Sequence, residues 1–267
     1  MINRNRRTFG AIGLMLGLVA LMLILILTAL HAVGTDAGLY HAEQMKAGIL
    51  PEAGISEGDL RMLDGRLAAY LSGDGAALNE GEGVAIIPVR GETQPAFNEK
   101  EMAHMADCFR LFELLRKVRI RLIPWAVLLI VGGAYLLQDR KKARRIAWLS
   151  PLLVLIPLGA FGVWAAVDFD GAFTFFHRLL FTNDLWLLDP RTDLLIRICP
   201  QSMFAGMGLC IALWSLAALV GVPALATLLT FIWPKNKRDE ANSWNDNQAM
   251  RRASAQRPKT FDFGQKR

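Results

Sequence analysis

The chain has 267 residues, 53% of them hydrophobic and 20% charged, with a net charge of +6. Its mean hydropathy of +0.30 excludes a disordered or collagenous protein and argues against an ordinary soluble one. Three cysteines without a CxxC spacing offer neither a disulfide framework nor a zinc ribbon. A soluble basic nucleic-acid binder is excluded as well, because the positive charges are sorted along the chain rather than gathered on one surface.

The first predicted element is a membrane span at 9–31, after a short polar N-terminus, 1–8. Between Arg7 and Asp36 only His31 can titrate, and at about 1.5 Å per residue this run crosses a hydrocarbon core of about 30 Å. Arg4, Arg6 and Arg7 imitate the basic region of a signal peptide. The apolar stretch is too long for that reading, since signal cores run about 7–15 residues. An uncleaved anchor is expected.

The segment 32–118 is polar and mainly helical by its local signals. A short helix is expected at 40–49. Ser56-x-x-Asp59 reads as a cap opening a helix over 59–71, which Gly73 closes. Glycine and acidic residues dominate 74–95, with Val84 to Val89 the only strand-like run. Asn98-x-x-Glu101 caps a helix predicted to run through Arg121 into the second span, 119–138. A short loop, 139–145, leads to the third span, 146–167. The loop 168–202 is too apolar for open solvent and reads as short amphipathic pieces at headgroup level. Within it, Thr192 or Asp193 caps a short helix at 194–198. The fourth span is predicted at 203–233, and the polar tail 234–267 reads as disordered. Pro151, Pro157 and Pro223 fall in the spans, where lipid-embedded helices tolerate them.

Orientation follows from the cations. Segments 1–8, 139–145 and 234–267 hold 17 Lys/Arg and 5 Asp/Glu, whereas 32–121 and 168–197 hold 13 and 19. Net charges of +12 and −6 place both termini in the cytoplasm and 32–118 outside. Arg116, Lys117, Arg119 and Arg121 defy the rule at the outer mouth of the second span. They read as snorkelling anchors or as a site for anionic lipid headgroups. The fold class is thus all-α, polytopic, with four transmembrane helices and a small, mainly helical extracytoplasmic cap.

Four histidines carry the possible chemistry. His31 and His41 flank the first outer turn and read as interface residues. Asp107 lies one turn from His104, a spacing that can orient an imidazole and favour its protonated form. His177 lies among Phe175, Phe176, Leu179 and Leu180, where desolvation favours the neutral form. A hairpin of spans two and three brings both to one level, where they can serve as general base and general acid. A zinc site of His104, His177, Asp107 and Asp184 competes, without an HxxxH or HExxH to organise it. Cys108 has only His104 as a cationic neighbour and reads as a poor nucleophile. Cys199 and Cys210 read as small apolar residues. Trp186 reads as an interface anchor.

The order of short motifs is informative. Tyr40, Tyr70-Leu71-Ser72-Gly73 and Phe97-Asn98-Glu99-Lys100-Glu101-Met102-Ala103-His104-Met105-Ala106-Asp107 precede the hairpin. Phe176-His177-Arg178, Phe181-x-Asn183-Asp184-x-Trp186, Asp189-Pro190, Asp193-x-Leu195-Ile196 and Pro200-x-x-x-Phe204 follow it. Together they resemble the bacterial lipoprotein intramolecular transacylase (Lit) family over roughly 9–233. Cys108 departs from the family pattern, which more often has valine there. The resemblance implies transfer of the sn-2 O-acyl chain of an S-diacylglyceryl cysteine to its α-amino group, giving a lyso-form lipoprotein. It implies catalytic His104 and His177; Asp107, Asn183, Asp184 and Arg178 are further expected to bind or orient substrate. It implies no cofactor and no metal. The expected partners are a diacylated lipoprotein N-terminus and membrane phospholipid, not nucleic acid, and the expected state is a monomer in the cytoplasmic membrane. A non-enzymatic accessory or sensor that binds lipoproteins or lipids is the alternative.

Overall fold

The computed structural model describes residues 2–78, 85–232, 244 and 248–250. The chain falls into two compact units, Met1–Thr227 and Leu228–Arg267, and the architecture below concerns the first. Most of the predicted tail, 234–267, lies outside the described residues, as does position 233 at the end of the fourth predicted span.

Helix α1 (Ile2–Val33) is followed by a module of three short helices: α2 (Ala37–Ala47), α3 (Leu50–Ala53) and α4 (Glu57–Ser72). Asp36 caps α2 by accepting from Leu39 N at 3.0 Å, and Ser56 caps α4 by accepting from Asp59 N at 3.1 Å. Gly73 ends α4 with a left-handed φ of 117°. Strands β1 (Ile86–Val89) and β2 (Glu92–Pro95) form an antiparallel hairpin, with Ile86 opposite Pro95 and Val89 opposite Glu92. Only the first strand was readable in the sequence, and its Val84 lies outside the described residues. Every residue of β2 is exposed, so no alternation of apolar side chains marks it.

The long helix α5 (Glu99–Leu137) starts from Asn98, which accepts from Glu101 N while Glu101 accepts from Asn98 N. This reciprocal cap is the one predicted. Next come α6 (Arg140–Leu149), α7 (Leu152–Val167), α8 (Phe169–Leu180), α9 (Leu194–Ile198) and α10 (Gln201–Ile232). Four helical stretches are long and apolar enough to cross a membrane: Asn5–Val33, Glu99–Leu137, Arg140–Val167 and Gln201–Ile232. The third is broken at Ser150-Pro151 between α6 and α7, and residues 140–145, expected as loop, are helical.

Helices α1 and α5 pack antiparallel with their backbones almost touching. A Cβ at Gly10 would lie 2.5 Å from Leu137 N, and one at Gly17 would lie 2.7 Å from Ile130 N. A Cβ at Gly133 would collide with the backbone of Leu14. Only glycine permits this approach, which gains dispersion contacts where lipid supplies no hydrophobic driving force.

A second set of contacts holds the segment after α8 against the helical module, and it is polar and buried. Glu101, 1% exposed, accepts from Leu195 N at 2.6 Å as well as from Asn98 N. Asn98 Nδ2 donates to Asp193 at 2.9 Å, and Asp193 also accepts from Asp189 N and Thr192 Oγ1. Asp193 is therefore the N-cap position of α9 with its carboxylate spent elsewhere. Arg197 donates to Ala53 O at 3.0 Å, and Gln44 Nε2 donates both to Asp64 Oδ1 and to Ile198 O. His41, expected at the interface, packs within the module, 3.4 Å from Asp64 and 3.3 Å from Glu57.

Two stability outcomes follow. Gly133→Leu must force α1 and α5 apart and should cost about 1–3 kcal/mol. Gly132→Leu, where a Cβ meets nothing within 4 Å, should leave the thermal unfolding temperature in detergent unchanged. Glu101→Ala strands two backbone N–H groups at about 1–3 kcal/mol each. Glu101→Gln keeps one acceptor oxygen and should unfold at an intermediate temperature.

Candidate active site

His104 stands one turn after Glu101 on α5, so the buried carboxylate that anchors α9 also sets the depth of the imidazole. His177 sits near the end of α8, which Asp168 caps through Gly171 N at 2.9 Å. The two rings are 8% and 9% exposed by residue, and their centroids lie 6.2 Å apart. The predicted convergence of the two histidines is present.

His177 is held on three sides. Its Nδ1 lies 2.8 Å from Phe173 O. A carbonyl can only accept, so Nδ1 carries the hydrogen and Nε2 keeps its lone pair. Its ring lies 3.9 Å from that of Phe173 and 4.9 Å from that of Trp186, centroid to centroid. Burial among these rings pushes its pKa below the ordinary 6.5, while the Phe173 carbonyl works in the other direction. The imidazole is therefore neutral at pH 7.

His104 has different partners. Phe181 lies edge-on to it at 5.3 Å and touches His177 at 5.7 Å, filling the corner between the two rings. The Cys108 sulfur lies 3.6 Å from His104 Nε2. Nδ1 is buried and has no hydrogen-bond partner among the described residues. An orphaned buried nitrogen costs free energy, and a substrate polar atom would satisfy it.

The pairing of His104 with Asp107 expected from the sequence is not formed. Asp107 instead accepts from Arg110 Nη1 at 3.0 Å and from Asn183 Nδ2 at 2.8 Å. One turn of separation allowed the contact, but a nearby guanidinium and an amide from the loop competed better for the carboxylate. Asp107 and Asn183 thus form a clasp between α5 and the segment after α8. Asn183 also accepts from Leu185 N at 3.1 Å, which shapes the turn that delivers Trp186. Asp184 contributes only a backbone carbonyl, to Leu187 N, and Arg178 is exposed on α8.

Trp186 needs correction too. It is 7% exposed and lies over His177 rather than anchoring the protein at a lipid interface. The sequence marked Phe181 only as a motif residue and gave Phe173 no role. Both stand four residues from His177, the helical spacing that could have flagged them. Among the described residues, no group of three His, Cys, Asp or Glu side chains is placed to hold a metal ion.

Comparison with known proteins bears on what this arrangement is for. The family model for the lipoprotein intramolecular transacylase Lit matches residues 15–204. The fold is similar to solved structures of the membrane-integral lipoprotein intramolecular transacylase Lit from Bacillus cereus. One has a TM-score of 0.57 at 22% identity and covers 85% of this chain and 95% of that one. Two variants of that protein, with a histidine replaced by arginine or by alanine, give TM-scores of 0.61 and 0.58 at 23% identity. Each covers 85% of this chain, and they are covered to 92% and 93%. No curated protein matches. The family match extends over most of the chain and takes in both histidines, so this chain belongs to the lipoprotein intramolecular transacylase (Lit) family and is a membrane-embedded acyltransferase.

Proposed function

We propose that His104 and His177 together move the sn-2 acyl chain of a diacylglyceryl cysteine from its glycerol oxygen to the α-amino nitrogen of the same residue. The observation that carries this reading is the pair itself: two buried rings 6.2 Å apart, with His104 Nδ1 lacking a hydrogen-bond partner among the described residues and His177 Nε2 keeping its lone pair. In the reaction, the amine attacks the ester carbonyl, a C–N bond forms, and a tetrahedral oxyanion results. His177 Nε2, which has the free lone pair, takes the amine proton. The Cys108 thiol donates to His104 Nε2, leaving His104 Nδ1–H to hold the oxyanion as a neutral donor. The C–O bond then breaks, and the imidazolium of His177 returns its proton to the departing glycerol oxygen. No atom is gained or lost.

This assignment keeps His177 as the base but changes the grounds for His104. Asp107, bound to Arg110 and Asn183, makes no hydrogen bond to His104, which acts in this reading as a neutral hydrogen-bond donor. Donor ester and acceptor amine are already joined, and the protein's main task is to hold them in an attack geometry. Phe173, Phe181 and Trp186 serve it by fixing ring positions in an apolar socket. Asn183 and Asp107 close the loop over α5, and Arg178 and Asp184 contact the substrate's polar headgroup.

The charge bias supports a site on the outer face of the cytoplasmic membrane, with 32–118 as an extracytoplasmic cap and both termini inside. A monomer suffices, since both histidines come from one chain.

Mass spectrometry of a reporter lipoprotein's N-terminal peptide tests the activity. The intact mass stays constant while the fragments change to an N-acyl, mono-O-acyl pattern. His104→Ala and His177→Ala should each reduce the transfer rate by about 10²–10⁴-fold with normal membrane expression. Near-normal transfer in either variant removes that residue from the mechanism. A lowered His177 pKa keeps the base unprotonated at neutral pH, so its imidazole, followed by NMR in the purified protein, should titrate with a midpoint below 6.5. A midpoint above that value contradicts the assignment. For topology, a cysteine introduced at Gly75 should react with an impermeant thiol reagent from outside and one at Lys142 should not. The reverse pattern inverts the orientation.

A further inference from the structure

The polar part of α5 meets its apolar part at Arg116, Lys117, Arg119 and Arg121. Two of these cations have employment within the fold. Arg116 donates to Ser72 O at the end of α4, and Lys117 pairs with Glu113 at 3.2 Å. Arg119 and Arg121 have no acidic partner among the described residues. Their surroundings on the helix are apolar and uncovered: Ile120 is 63% exposed and Trp125 61%.

The register between α1 and α5 fixes how deep these two arginines lie. Gly17 abuts Ile130, and Gly34 abuts the ring of Phe112. Arg121 lies midway between Ile130 and Phe112 along α5, so it stands beside the middle of the 17–34 stretch of α1. That stretch carries no Lys, Arg, Asp or Glu. From Arg121 to the end of α5 at Leu137 the helix rises about 24 Å. This falls short of the roughly 30 Å of a hydrocarbon core. Guanidinium groups at this depth cannot keep a full water shell. A planar donor fork there is best solvated by the phosphate oxygens of lipid, which it can bind in bidentate fashion.

We propose that Arg119 and Arg121 form a binding site for the phosphate of an anionic glycerophospholipid, at the end of α5's apolar segment nearest the α2–α4 module. The acyl chains of that lipid lie along Ile120, Ile123 and Trp125, which form exposed apolar surface between and below the arginines. The site is separate from the histidine pair, since Arg119 is four helical turns from His104. Binding is read without lipoprotein present, so its failure leaves the transacylase reading intact.

The test uses the full chain purified in a neutral detergent and titrated with short-chain phosphatidylglycerol, with native mass spectrometry counting bound lipid. Saturable binding is expected, with phosphatidylcholine binding much more weakly. The variant R119Q/R121Q should weaken phosphatidylglycerol binding by at least about tenfold, and K117Q should change it by less than about twofold. If the double variant does not fold, R119Q and R121Q made singly should each weaken binding by about threefold or more. Three outcomes overturn the proposal. One is unchanged affinity in the folded arginine variants. Another is equal binding of phosphatidylcholine. The third is displacement of the lipid by inorganic phosphate as readily as by more phosphatidylglycerol, which would make the ligand a free anion.

Discussion

A carboxylate placed where water cannot reach must find donors, and Glu101 finds them in two separate parts of the chain. It receives Asn98 N at the start of its own helix and Leu195 N from α9. The second bond is what the site depends on. It pins the segment after α8 to the first turn of α5, and His104 stands on the next turn. Together with the Asp107–Asn183 and Asn98–Asp193 bonds, it fixes the height of the loop bearing Asn183 and Trp186 relative to α5. Asn98, Asp193, Arg197 and Gln44 extend the same arrangement, each joining segments that lie far apart in sequence. The network is satisfied around Glu101, whereas Gln44 Oε1 and Asp64 Oδ2 are buried without a hydrogen-bond partner. It sets the elements around the two histidines with hydrogen-bond precision.

The socket that results is apolar around the two histidines. Aromatic rings rather than carboxylates surround the histidines, and the nearest acid, Asp107, is spent on Arg110 and Asn183. A dry neutral pair suits a reaction that begins and ends uncharged. A permanent ion pair would hold water, and water at an acyl carbonyl leads to hydrolysis instead of transfer. On the proposed assignment, transient charge on the oxyanion is met by the fixed His104 Nδ1–H donor.

Much of this was legible in the sequence, for reasons that differ by element. The spans follow from uninterrupted apolar runs. The helix starts at Ser56 and Asn98 follow from side chains that bond their own backbone three residues on. The convergence of His104 and His177 followed from the hairpin order of the spans. What stayed hidden was decided by competition over long range. Asp107 looked like a partner for His104 because local spacing was the only guide, and Asn183, 76 residues away, took it instead. The sequence marked Glu101 as a helix cap and gave no sign of its second donor. Trp186 resembled an interface anchor because its burial depends on a turn that Asn183 builds. Strand β2 pairs through its backbone alone, and no side-chain pattern encodes it.

The distances along the chain between bonded partners have a consequence for how the molecule is made. Gln44 meets Ile198 across 154 residues, Arg197 meets Ala53 across 144, and Glu101 meets Leu195 across 94. Loop-closure entropy makes such contacts late events, because they are formed only after the intervening chain has been laid down. During synthesis, α1 to α5 therefore emerge with Gln44, Ala53 and Glu101 waiting for partners that α9 has yet to bring. The ribosome must deliver one more span, and α8 and α9 after it, before the module can close. The histidine socket, which needs α8 and the loop after it, becomes whole in the same stroke, so a half-made chain has neither a settled module nor a working site.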